Sequence, residues 1–490
     1  MTNKRYLFYG VVIKLFCQPE ILPTEPENAI ISIFKLTIMT IRNFILTVTA
    51  ISMLLISCKL MPKKEAAQTT GSAFPDYIKQ SNIYEVNVRQ YSAEGTFKAF
   101  EASLPRLKEM GVEILWFMPI TPISKVDRKG VLGSYYAVAD YTAVNPEFGT
   151  MDDWKAFVQK AHDMGFKVIT DWVANHTGAD NRWMQSNPDF FLKDKDGKFA
   201  FAFDWSDTRD LNFWNPVLHD SMINAMKFWL TETKIDGFRC DVASEVPRSF
   251  WQHCITELKK IKPDIFMLAE GDVAWLHDAG FHASYGWDGF AKMKKVANGE
   301  ASARVLDTVI RHLDETYPSN YAKMYFTSNH DENSWNKADY TTMPGEVHAP
   351  FAVLSQTWKN TLPLIYSGQE EPFLDSISFF YKDTISFSKY QRASFYKTLL
   401  MLRKSTPALA IDAAYTKLQS SNDDVLYAYT REKAGKKVLV LLNLSNKPQT
   451  FTLKEQIAGE PQNVFAGKQE KLSDGQNFSL APWGYIVYSY

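Results

Sequence analysis

Residues 235–241 read Ile-Asp-Gly-Phe-Arg-Cys-Asp, a short apolar-flanked run that reads as a strand ending on Arg239-Cys240-Asp241. Side chains at i and i+2 of a strand leave the same face, so Arg239 and Asp241 stand together. A nearby cation lowers a carboxylate's pKa. The pair therefore predicts an ionised, aimed Asp241, the state that a nucleophile requires. A salt bridge closing a strand end is the plainer reading of an isolated Arg-x-Asp. Three more segments of the same build decide against it. Residues 167–173 run into Asn175-His176, residues 265–268 into Glu270, and residues 323–326 into Asn329-His330-Asp331.

Helix-like stretches separate these runs, and strands alternating with helices imply a parallel sheet. In a (β/α)8 barrel the catalytic groups sit at the C-terminal ends of the strands. Here those ends supply Asp171, Asp241, Glu270 and Asp331. Further strands are expected at 83–88, 112–118 and 362–367, and helices at 97–110, 216–233 and 392–405. The stretch from 177 to 215 is too long and irregular for one loop, and Asp196-Gly197 within it reads as a hairpin turn. Beyond Pro407 short alternating runs at 425–431, 437–443, 449–453 and 484–490 predict an antiparallel all-β domain over 409–490.

Five segments in register carry a resemblance. Asp171–His176 (DWVANH), Gly237–Glu245 (GFRCDVASE), Leu268–Gly271 (LAEG) and Phe326–Asp331 (FTSNHD) are similar to the signature segments of the α-amylase family of glycoside hydrolases. Gly133–Tyr141 (GSYYAVADY), followed by Asn145–Thr150 (NPEFGT), resembles a fifth, and the likeness covers residues 82–490. It implies a (β/α)8 TIM barrel over 77–408, a small insertion subdomain at 177–215 after the third strand, and a C-terminal β-sandwich. It also implies that Asp241 is the nucleophile, Glu270 the acid/base and Asp331 a third acid holding sugar hydroxyls. By the same resemblance His176, Arg239 and His330 are substrate-binding. Tyr136 stacks under the sugar; Asp140 four residues later selects it over Tyr135. Asn175, Asp210 and the backbone carbonyl of Glu245 resemble the oxygen set of a structural calcium ion, and oxygen ligands suit that ion.

One departure bears on substrate. Typical α-amylases follow the nucleophile with a Lys-His pair, whereas Val242–Val246 reads VASEV, closer to the DVANE segment of neopullulanases and cyclomaltodextrinases. Those enzymes carry an additional N-terminal domain, for which residues before 83 leave no room. The expectation is an α-1,4-active enzyme on maltodextrins, with α-1,6 cleavage or glycosyl transfer as alternatives. A non-catalytic starch-binding protein on the same scaffold is a different class. Such relatives usually lose one of the three acids, and this chain keeps all of them.

Composition agrees. The 490 residues are 46% hydrophobic, enough for a large core, and a net charge of −1 gives no basic surface for nucleic acid. Aromatics form 14% of the chain, which suits sugar stacking as well as core packing. At the N-terminus, Met39 opens a basic stub and residues 44–56 form an apolar h-region. It ends Leu55-Ile56-Ser57-Cys58, which resembles a bacterial lipobox with Cys58 as the lipidated residue. Residues 1–38 then lie upstream of the true start, 39–58 form a lipoprotein signal peptide, and 59–76 form a linker. A lipid anchor in a membrane follows, with the outer membrane favoured because Lys59 is not an aspartate, and a monomer is expected. Cys240 and Cys254 read as buried thiols.

Overall fold

A computed structural model of the protein describes residues 73–336, 343–373 and 375–490. The segments expected to form the signal peptide, the lipidated Cys58 and most of the linker lie outside the described residues. Short apolar runs form the barrel strands: β1 (Ile83–Val86), β2 (Ile114–Phe117), β3 (Lys167–Val173), β4 (Gly237–Asp241), β5 (Phe266–Ala269), β6 (Ala283–Tyr285), β7 (Ala322–Met324) and β8 (Leu364–Tyr366). They make one 8-stranded parallel sheet in which β8 pairs with β1 and the others follow in sequence to β7. Between β7 and β8 the Leu362 N–H donates to Lys323 O at 2.9 Å and the Leu364 N–H to Tyr325 O at 3.0 Å, which closes the barrel. Closure leaves no unpaired sheet edge.

The helix layer follows from sequence in the same way. Helix Met151–Asp163 starts at a capping box, with Thr150 and Asp153 exchanging side-chain-to-backbone hydrogen bonds. It buries Trp154, Phe157, Val158 and Ala161, a 3.6-period stripe laid on the sheet. Each large side chain of that stripe contributes roughly 1.5–3 kcal/mol by leaving water. Two expectations need correction. The helix expected over 97–110 is two helices, Phe97–Glu101 and Leu104–Met110, because Pro105 has no N–H to continue the ladder. The first strand stops at Val86, and Val88–Tyr91 turns into a short helix. β6 was not foreseen; at three residues it is too short to show a period.

After β3, His176–Gly178 pairs antiparallel with Thr208–Asp210 and sets His176 opposite Asp210. The turn at Asp196-Gly197 forms, with Gly197 at φ 80° and Lys193 bridging Phe199.

The C-terminal region forms an antiparallel sheet of β9 (Ala414–Leu418), β10 (Leu426–Lys433), β11 (Lys436–Asn443) and β12 (Tyr485–Ser489), extended by two short strands. Alternation along β11 divides its residues. Leu439 and Leu441 join Phe451, Phe478 and Leu480 of a second, two-stranded sheet, while Val438, Val440 and Leu442 share a core with Phe351 and Trp358 of the barrel. Fully buried Arg431 donates to the carbonyls of Thr357 at 3.1 Å and Ala410 at 2.7 Å, tying the sheet to the barrel. Among the described residues no helix is long and apolar enough to cross a membrane.

Candidate active site

The C-terminal ends of the barrel strands enclose a cleft of about 220 Å³. Asp241 closes β4, and Glu270 follows β5, its paired neighbour; the Glu270 N–H donates to Cys240 O at 2.9 Å. Asp331 lies in the helix His330–Asn336 that begins soon after β7. The loop between β2 and β3 brings Tyr136, and the end of β3 brings His176. Asp241, Glu270, Asp331, Tyr136, His176 and His330 all line the cleft. Tyr135 does not; its hydroxyl donates to Asn87 Oδ1 at 3.0 Å, and Arg89 covers its ring.

Arg239, expected to bind substrate, lies beneath the cleft with its side chain fully buried. Its Nη1 donates to Asp241 Oδ1 at 2.9 Å and to Asp171 Oδ1 at 3.0 Å. Its Nη2 is 2.9 Å from Glu270 Oε2, and its Nε donates to the Tyr285 hydroxyl at 3.0 Å. One guanidinium therefore serves three carboxylates and has no donor facing open space. Burial opposes its charge, but Asp171 and Glu270 hold it protonated. Burial also raises Asp171 to about 6 against the pull of Arg239.

Burial and the shared cation act on both catalytic candidates. Burial, followed by the charge of Glu270, pushes Asp241 well above the usual carboxylate range, and Arg239 offsets only part of this. Burial opposes ionisation of Glu270 too, yet Arg239 and the Val242 N–H bring it below its usual value. That N–H donates to Glu270 Oε2 at 2.8 Å. Two close carboxyls cannot both ionise freely and titrate as a pair. Arg239 contacts both carboxyls, and Glu270 accepts the Val242 N–H as well.

The histidines differ in state. His330 Nδ1 contacts the buried Glu85 carboxylate, and its Nε2 is 2.7 Å from the Tyr136 hydroxyl, which donates to Asp171 Oδ2 at 3.2 Å. Burial works against a charged His330, but Asp331 and Glu85 raise it to about 9. His176 has no such anion in contact, and burial lowers it to about 4. Its buried Nε2 has no hydrogen-bond partner among the described residues and is available to a ligand hydroxyl.

Sequence reasoning missed Glu85, and it noted Asp171 without giving it a role. Glu85 had a signal: a carboxylate inside the apolar run Ile83–Val86, where an acid is buried only with a partner. Trp205, Trp335, Phe379 and Phe380 also line the cleft and had no motif to reveal them.

Of the expected calcium ligands, Asn175 and Asp210 meet in one hairpin, where the Leu211 N–H donates to Asn175 O at 3.2 Å. Glu245 ends the 3-10 turn that follows β4. Asp210 is half-buried, and burial alone raises its carboxyl. A buried charge relieved by no neighbouring cation fits an oxygen-liganded dication. Among the described residues no cluster of three or more His, Cys, Asp or Glu could hold a metal, so the ion would rest on one carboxylate with amide and carbonyl oxygens.

Comparison with known proteins follows this geometry. A model described as the alpha amylase catalytic domain matches residues 72–196 and 190–421, and one described as the alpha-amylase SusG C-terminal domain matches 426–487. Alpha-amylase MalA of Haloarcula japonica is 26% identical over 77% of this chain and 57% of its own length. Neopullulanase 2 of Thermoactinomyces vulgaris is 28% identical over 73% of this chain and 64% of its own. The chain thus spans under two thirds of the length of either relative. Among solved structures, a noncanonic maltogenic alpha-amylase AmyB from Thermotoga neapolitana aligns with TM-score 0.77 at 28% identity, covering 84% of this chain and 99% of that one. An alpha-amylase from Lactobacillus plantarum aligns with TM-score 0.76 at 29% identity over the same shares.

Proposed function

The chain belongs to the α-amylase family of glycoside hydrolases, and from that premise we propose that it cleaves α-1,4-glucosidic bonds of starch-derived maltodextrins with retention. The observation that carries this reading is the placement of Asp241 and Glu270 on neighbouring strand ends, facing one cleft and sharing Arg239. Asp241 attacks the anomeric carbon while Glu270 protonates the leaving oxygen. The sugar then leaves Asp241 when water, deprotonated by Glu270, attacks the same carbon. Asp331, His176 and charged His330 hold ring hydroxyls, and Tyr136 supports the sugar face. Only a protonated Glu270 can serve the leaving group, and only an ionised Asp241 can attack. Two displacements restore the starting configuration. Proton NMR of an early digest of maltoheptaose is therefore expected to show the α-anomer first, and β-anomer first would refute the mechanism.

A second reading, α-1,6 cleavage or glycosyl transfer, is favoured by the VASEV segment at 242–246 and by the likeness to Neopullulanase 2. Products from pullulan separate the two: maltotriose or transfer products support the second, and panose, or intact pullulan beside hydrolysed maltoheptaose, supports the first.

Calcium is proposed at Asn175, Asp210 and the Glu245 carbonyl, where it would fasten the insertion to the barrel and neutralise Asp210. A ligand bound only by the folded state stabilises by about 2.7 kcal/mol at a concentration 100 times its Kd. Calcium is expected to raise the melting temperature of the chelated protein, and Asp210→Asn to abolish that rise. No shift in the wild-type protein would remove the site.

The enzyme is further proposed to be a membrane-anchored lipoprotein acylated at Cys58. One acyl chain holds a protein marginally and two hold it stably, so activity is expected to sediment with membranes, favouring the outer membrane. Replacing Cys58 with serine should release that activity to the soluble fraction. Activity that stays with the membrane in this variant would refute lipidation.

A further inference from the structure

Lys323 stands inside β7 and is fully buried, where a lysine is tolerated only when its charge is met. Its Nζ donates to Asp272 Oδ1 at 2.5 Å, to the Ser284 hydroxyl at 2.8 Å and to the Tyr317 hydroxyl at 3.1 Å, so every donor is placed. Asp272 is held as fully. Its Oδ1 also accepts from the Tyr317 hydroxyl at 2.9 Å, and its Oδ2 accepts from the Asp288 N–H at 2.8 Å. Burial opposes both charges, and each partner counters it for the other. Neither residue lines the catalytic cleft; both line a separate cavity of about 350 Å³. Their part in the reaction must therefore pass through another residue.

The residue they reach is Glu270. Asp272 follows it by two positions, with Gly271 between them at φ 154°. No side chain stiffens that link, and a Cβ on Gly271 would lie 2.8 Å from Leu276 Cδ1. Strand register sets Ala269, Ser284 and Lys323 side by side across β5, β6 and β7. The lysine thus stands on the row immediately before Glu270. On the near side Glu270 is fixed by its N–H, which donates to Cys240 O at 2.9 Å. On the far side its backbone is fixed only after the glycine, where Lys323 and Tyr317 grip the Asp272 carboxylate. Since β7 leads on to Asp331 in the helix His330–Asn336, the grip also joins the segments that carry two of the three cleft acids.

We propose that Lys323 is a positioning residue: by clamping Asp272 from β7, it fixes the segment that bears Glu270 and so aims that carboxyl at the leaving oxygen. The inference rests on Glu270 being the acid/base and deepens that reading by naming what holds it in place. Without the clamp the glycine link is free to turn, and the carboxyl loses its alignment. A misplacement of about 1 Å at a reacting group costs on the order of 10²-fold in rate. The loss belongs to one step. Proton transfer to the leaving oxygen depends on where Glu270 points, whereas attack by Asp241 on a substrate whose leaving group departs unprotonated does not.

The test compares kcat/KM on maltoheptaose with kcat/KM on α-maltotriosyl fluoride. Fluoride leaves without a proton, and kcat/KM covers only the steps up to the glycosyl-enzyme, so the second substrate does not call on Glu270. Lys323→Met and Asp272→Asn are made together, which removes the clamp and strands no buried charge, so the fold should hold. In this double variant kcat/KM on maltoheptaose should fall about 100-fold, while the value on the fluoride stays near that of the wild type. Equal losses on both substrates, no loss on either, or a double variant that does not fold would overturn the inference, because each leaves the pair without a part in aiming the acid. Glu270→Gln reports on the underlying reading. If it shows the selective loss and the double variant does not, the inference alone fails. If Glu270→Gln loses both substrates alike, the acid/base assignment itself fails.

Discussion

Replacing Asp241 with asparagine, or Glu270 with glutamine, is expected to lower kcat on maltoheptaose by a factor on the order of 10³ or more, with the fold intact. Each exchange keeps the shape and removes one function. Asparagine cannot form the glycosyl ester, and glutamine has no proton of the right acidity for the leaving oxygen. The two variants should fail differently. With an activated leaving group that needs no protonation, Glu270→Gln should still accumulate the covalent intermediate, whereas Asp241→Asn should not. Mass spectrometry of the quenched protein reads the difference. Near-wild-type turnover in either variant would sink the assignment of the pair.

The second large effect is expected from Arg239→Met. The side chains are close in bulk, but the change leaves Asp171, Asp241 and Glu270 without the cation they share. Removing one partner from a buried ion pair costs roughly 3–5 kcal/mol, because the remaining charge stays buried and uncompensated. The carboxyls respond by binding protons. Arg239 lowers all three, so without it Asp171 and Asp241 rise further and Glu270 loses the main pull that holds it below its usual value. Groups whose folded pKa is raised bind more protons folded than unfolded, and stability then falls as pH rises. The deficit in a denaturant midpoint should therefore be smallest in acid and grow through the pH range where the unfolded carboxyls ionise. The acidic limb of kcat/KM should shift upward, since Asp241 must lose its proton to attack. A variant as stable as wild type at neutral pH would show that the cation is dispensable.

Local pattern alone was enough for much of this molecule. A strand's period of two put Arg239 and Asp241 on one side, and the pair is found at 2.9 Å. Polar groups closing each apolar run marked where barrel strands end, because a buried strand tolerates them only at its rim. The short alternating runs beyond Pro407 likewise foretold an antiparallel β region; that both faces of 437–443 are buried, one toward the barrel and one toward the second sheet, was not foreseen. Regularities of this kind depend on neighbours a few residues apart, and they survive in the bare sequence.

Contacts that bridge the barrel were not legible. Glu85 and His330 are 245 residues apart, and they meet only because β8 pairs with β1 and seals the sheet. That closure makes His330 a cation and not an ordinary core histidine. Arg239 was read as the partner of one acid and proved to hold three, since its reach depends on where β3 and β5 fall beside β4. A pKa is the sum of burial and every charge in range, and spacing along the chain reports neither. Nor does the residue name Val242 announce its left-handed backbone, at φ 35° and ψ 45°. The sequence by itself determined which carboxyls come to the strand ends around the cleft and the order of the strands that carry them. Which cation serves which acid and which peptide bond faces Glu270 were decided by tertiary structure, because electrostatic energy depends on distance through space in a medium that folding has emptied of water.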